Sequence, residues 1–172
     1  MKRGMNKKAQ FYLIAAIILA TLIIGVVTIS NYSRREPNLE LHDLKEEIQI
    51  ESAYVLDYGL YKGLSQAALY TLLLNFTEDY INYQGKNKDL YFVFGDKDNI
   101  TVTGYQESAK AVYLDSTPIT NSIGEFTGGI DPVGNIVLSI SGMSYEFELT
   151  NGKNFYFILS QKINKGEYII TG

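Results

Sequence analysis

Between Phe11 and Ser30 the chain runs for twenty residues without a charged side chain, FYLIAAIILATLIIGVVTIS. A helix of that length rises roughly 30 Å at about 1.5 Å per residue, the depth of a bilayer hydrocarbon core. Lys2, Arg3, Lys7 and Lys8 precede the run with no acid among them, and Arg34, Arg35 and Glu36 close it. The expectation is a basic cytoplasmic leader over 1–10 and a transmembrane or filament-core helix over 11–33. The excess of basic residues before the run places the N-terminus in the cytoplasm and everything after it outside, at the cell surface, as a single-pass membrane protein touching lipid. A cleaved secretory peptide fits less well. Its apolar region is about 7–15 residues long and ends in an Ala-x-Ala-like site, whereas this run is longer and offers only Thr28-Ile29-Ser30.

The junction before the run, Lys7-Lys8-Ala9-Gln10-Phe11, resembles the class III signal sequence of archaeal type IV pilins over about residues 1–30. The resemblance implies a prepilin peptidase as partner, cutting between Ala9 and Gln10 and leaving the apolar helix attached. It further implies self-assembly through residues 11–33, with helices of many copies bundled in a filament core and the remaining domains as its sheath. Two positions depart from the family pattern: Ala9 stands where glycine is commoner, and Ile14 stands where many pilins carry a glutamate. An uncleaved signal anchor, carrying a monomeric ectodomain that binds a surface partner or glycan, accounts for the same residues.

Charge separates the leader from the rest. The net charge is −4, and residues 1–10 contribute +4, leaving −8 for residues 11–172. Nucleic-acid binding needs a basic footprint, so it is excluded as a partner class on this reading. With no cysteine, neither disulfides nor thiolate metal sites brace the chain. Tyrosine occurs 14 times and tryptophan never. Tyrosine suits half-exposed strand faces as well as subunit contacts.

After the run, Pro37 breaks the chain direction, and a helix is expected to open at Asn38. Leu41, Leu44, Ile48 and Val55 form its apolar stripe,. Glu36, Glu40, Asp43, Glu46, Glu47, Glu51 and Asp57 form an acidic face against Lys45. That face is either simply solvated or a contact for a basic partner. Gly59 and Gly63 bracket the expected turn. Ser65 is placed to cap a second helix reaching Tyr83, with Ala68, Leu69, Leu72, Leu73, Phe76 and Tyr80 on its apolar side,. Together these make a helical hairpin over 38–84.

From 89 to 172 the period changes to two, predicting an antiparallel β domain with strands at 90–94, 100–105, 110–114, 135–141, 143–150, 154–160 and 167–171,. Tyr145, Phe147 and Leu149 alternate inward against outward Glu146 and Glu148. The last four strands read as a meander, and Gly124–Gly134 as the longest loop. The expected fold class is therefore α+β: an N-terminal transmembrane or filament-core helix, a helical hairpin, and an antiparallel β-sandwich-like or meander domain.

Chemistry-bearing constellations are sparse. His42 is the sole histidine and lies beside Asp43 on the charged helix face. Ser108-Ala109-Lys110 has the spacing of some serine–lysine dyads, which need a neutral lysine to activate the hydroxyl. Asp96, Asp98 and Asn99 offer oxygen ligands, but Thr101 stands where a calcium loop needs glycine, and a hairpin turn explains them better. The glycines at 124–134 lack the lysine and following helix of a phosphate loop. Asn-x-Ser/Thr sequons fall at Asn31, Asn75 and Asn99, with Asn75 and Asn99 the candidate N-glycosylation sites,. The sequence predicts a non-enzymatic protein with no cofactor and no catalytic or metal-binding residues, and a filament subunit ahead of an anchored binding domain.

Overall fold

The structure is a computed structural model that describes residues 17–21, 37–84, 87–163 and 166–172. The chain divides into two units, 1–40 and 41–172. In the first, residues 17–21 form a helical stretch, α1, in which the Thr21 hydroxyl donates to the carbonyls of Ile17 and Ile18.

Two expectations are overturned here. Among the described residues no helix is long and apolar enough to cross a membrane, so the predicted spanning helix, and the single-pass membrane placement drawn from it, are corrected. Helix α2 (Pro37–Tyr61) has the length but carries Glu40, Asp43, Lys45, Glu46, Glu47, Glu51 and Asp57. Helix α3 (Gln66–Gln84) is broken up by Thr71, Asn75, Thr77, Glu78, Asp79 and Asn82. Of the run expected over 11–33, only 17–21 belong to the described residues. The second correction is the class itself: among the described residues the fold is mostly β, with nine strands in two antiparallel sheets of five and four strands.

The five-stranded sheet has the order β5-β2-β1-β8-β9, built from β1 (Asp89–Gly95), β2 (Ile100–Gln106), β5 (Gly124–Ile130), β8 (Asn154–Ile163) and β9 (Gly166–Thr171). The four-stranded sheet has the order β4-β3-β6-β7, built from β3 (Val112–Leu114), β4 (Thr117–Thr120), β6 (Ile136–Ile140) and β7 (Met143–Phe147). The central strands of the first sheet are buried on both faces. Leu90, Phe92, Phe94, Phe157 and Leu159 pack with Leu41, Leu44, Ile48, Leu69, Leu73 and Tyr80 of the helices. Tyr91, Val93, Ile100, Val102 and Ile158 pack with Val112, Leu114, Ile136, Leu138 and Ile140 of the second sheet. This explains why β1 reads as an unbroken apolar run, Leu90-Tyr-Phe-Val-Phe94: a strand covered on both sides has no solvent face to alternate toward.

Several local expectations need revision. The last four strands are not a meander. The β6–β7 hairpin lies in one sheet and the β8–β9 hairpin in the other, because period-two alternation marks a strand's faces but not its partners. Gly124–Ile130 is a strand, not a loop, pairing Thr101 with Gly129 and Val102 with Gly128. Its glycines are required by close approach: a Cβ at Gly129 would lie 2.9 Å from the Ile100 carbonyl oxygen, and one at Gly128 2.9 Å from Ile119. Helix α2 begins at Pro37, whose missing N–H costs nothing at a first helical position,. It also runs through Gly59, where the lack of a side chain admits Leu69 of α3. Gly63, at φ +60, ends it,, and Ser65 caps α3 by accepting from the Ala68 N–H at 3.3 Å.

Candidate functional site

The helices cover the middle of the five-stranded sheet and leave one end open. On the helix-facing side the register aligns Phe94, Thr101 and Gly129 in one row across β1, β2 and β5. The row is bulky and apolar at β1, then small and polar. With no large side chain from β2 or β5 in this row to hold a helix against them, a cleft of about 860 Å³ opens between the start of α3 and this corner of the sheet. Leu69, Leu73 and Phe94 form its apolar floor, Tyr70 stands at one side with its ring 5.8 Å from that of Phe94, and Asp131 and Asn99 lie at the rim.

Asp96 ties the walls together. One carboxylate oxygen accepts the N–H groups of Asp98 and Asn99 at 3.0 and 3.1 Å, fixing the β1–β2 turn. The other accepts from Lys153 at 2.5 Å and from Gln66, at the start of α3, at 2.6 Å. Burial pushes the Asp96 carboxyl up, but the Lys153 hydrogen bond and the two backbone amides outweigh it and hold it below the usual range,. With both oxygens committed to these donors, Asp96 acts as a brace. No group of three histidine, aspartate or glutamate side chains placed to hold a metal occurs among the described residues.

A second polar cluster lies elsewhere. Lys110 pairs with Asp89 at 2.7 Å and Glu167 at 2.5 Å, and Glu167 also accepts from Ser160 at 2.6 Å. Asp89 in turn accepts the Glu107 N–H at 2.7 Å. Burial alone would lower the Lys110 pKa, yet the two carboxylates raise it above its ordinary value. A serine–lysine dyad needs the opposite, a lysine held neutral, so Lys110 clamps strand ends and is not poised to activate Ser108.

The remaining sequence-predicted positions stay apart. His42 is exposed on α2, Asn75 is exposed on α3, and Asn99 is exposed in the β1–β2 turn on the lip of the cleft. Ala9, Gln10 and Asn31 lie outside the described residues. Sequence reasoning found Asp96 and Asn99 as a turn but missed Tyr70, Asp131 and Lys153. Nothing local marks them, since they converge only through the strand register. No protein-family model, curated protein or solved structure matches the chain.

Proposed function

We propose that the chain is a non-enzymatic, pilin-like filament subunit that assembles with copies of itself through the apolar segment 11–33. The observation that carries this reading is the exposure of the described part of that segment, residues 17–21. Ile17, Ile18 and Leu19 are 56%, 55% and 62% exposed on a helical stretch within a twenty-residue run free of charge. Exposed apolar side chains at three consecutive positions call for a cover, and the same uncharged run on neighbouring copies supplies one of matching chemistry. The Lys-Lys-Ala-Gln junction supports a processed N-terminus ahead of it. Helix α2 adds a second contact surface: Ile50, Tyr54, Tyr58 and Tyr61 recur at helical spacing and are exposed, turned away from Leu41, Leu44 and Ile48,. Exposed tyrosines of this kind combine apolar area with a polar tip and favour subunit contacts.

The test is co-expression with an archaeal prepilin peptidase and mass measurement of the product. A chain starting at Gln10 that sediments as a polymer is expected. A chain still starting at Met1, or a processed chain that stays monomeric, overturns the reading.

A further inference from the structure

The cleft beside α3 is built from groups that the filament reading does not use. We propose that it binds a neutral pyranose sugar.

The lining sets the ligand's chemistry. Tyr70 is 39% exposed at the cleft while resting against buried Phe94, so its ring is fixed on one side and open on the other. A sugar ring presents an apolar C–H face and a rim of hydroxyls, and a half-open aromatic ring covers the first without demanding the second. Polar residues share the lining with it: Asn99 with an amide, Asp131 with a carboxylate, and Thr127, whose hydroxyl donates to that of Thr103 at 3.0 Å and retains lone pairs for the rim. Each accepts from or donates to neutral hydroxyls, and a carboxylate accepts two at once. Sites for small ligands have this balance, an apolar floor with a few convergent polar groups.

Charge narrows the class further. Lys153 and Asp96 neutralise each other across the wall at 2.5 Å, and Asp131 makes no ion pair among the described residues. The cleft thus carries one uncompensated negative charge within a chain that is net −8 beyond its leader. Sulfated, phosphorylated or uronic sugars are disfavoured. A volume of about 860 Å³ is far more than a lone inorganic cation or a simple amine fills, and it accommodates a sugar ring with room for a neighbour,.

The experiment is calorimetric titration of the full chain, produced in a host without N-glycosylation so that Asn99 is bare, and kept in a detergent with no sugar headgroup. The probes are the methyl glycosides of glucose, galactose, mannose and N-acetylglucosamine, with n-butylamine and glucuronic acid as charged comparators. At least one neutral glycoside is expected to bind in the millimolar range. Tyr70→Ala and Asp131→Ala should each weaken it at least tenfold, and Tyr70→Phe should keep most of the affinity. Asp131 is exposed and makes no hydrogen bond on which the fold depends, so its replacement tests the site even if Tyr70→Ala unfolds the corner. Three results overturn the proposal: no heat from any neutral glycoside, heat unchanged by Asp131→Ala, or binding of butylamine in place of the sugars.

Discussion

Phe92 and Val93 are consecutive, both fully buried, and point to opposite sides of the five-stranded sheet. Replacing Phe92 with alanine removes a ring from the helix-side core, where it lies 6.0 Å from Phe155. Truncation of a buried phenylalanine costs about 3–5 kcal/mol. Against a typical total of about 5–15 kcal/mol, that is a large fraction of the stability. For a domain of this size it lowers the melting temperature by roughly 10–20 °C. Val93→Ala removes two carbons from the other core and should cost about 2 kcal/mol. Urea denaturation of a chain beginning at Pro37 gives both magnitudes, and amide exchange distinguishes the layers. Phe92→Ala should speed exchange first in α2 and α3, and Val93→Ala first in β3 and β6. A cost below about 1 kcal/mol for Phe92→Ala, or loosening of the same layer by both substitutions, would refute a sheet buried on both faces.

The other predictions concern single sites. Gly104→Ala should destabilise by at least about 1–3 kcal/mol, because its Cβ would overlap the Leu90 carbonyl and crowd the Phe126 ring,; a melt within a degree of wild type would contradict this. Stability should hold above the ordinary carboxyl values of 3.8 and 4.5 and fall as pH drops through the depressed pKa values of Asp96 and Glu167,. At the alkaline end, the Lys110 contribution is present below its ordinary 10.5 and is lost only as pH rises through its raised folded-state value; Lys110→Met should remove that alkaline loss. Ala9→Leu should block processing by a prepilin peptidase, read as an unchanged mass. In a glycosylating host, Asn99→Gln should remove one glycan mass, since Asn99 is exposed in a turn; no change would mean that the sequon is unused.

What the sequence made legible was the strongly periodic part. Leu41, Leu44 and Ile48 are buried on α2, and Leu69, Leu73 and Tyr80 on α3, where the three- and four-residue spacing put them. Phe147 is buried in β7 with Glu146 exposed beside it, as the alternation required. What stayed illegible was pairing. Strand β5 hid behind Gly124, Gly128 and Gly129, which signal a loop locally; Gly128 and Gly129 are demanded here by the closeness of Ile119 and Ile100, and Gly124 by its positive φ of +101. Strand β4, Thr117–Thr120, was not foreseen, since four residues with a proline carry little pattern. The cleft was illegible for the same reason: Tyr70, Asp96, Asp131 and Lys153 come from four separated segments that only the sheet order brings together. The uncharged run misled in another way. Its length matches a bilayer, but length and hydropathy do not distinguish lipid from other apolar cover.

Copies of this chain are proposed to cover one another's segment 11–33. Negative-stain electron microscopy of the purified chain beginning at Gln10, dialysed out of detergent, tests it most directly. Filaments of uniform width are expected, disappearing when residues 10–36 are removed and leaving a folded monomer. Uniform monomers from the Gln10 chain, or filaments that persist without residues 10–36, would contradict it.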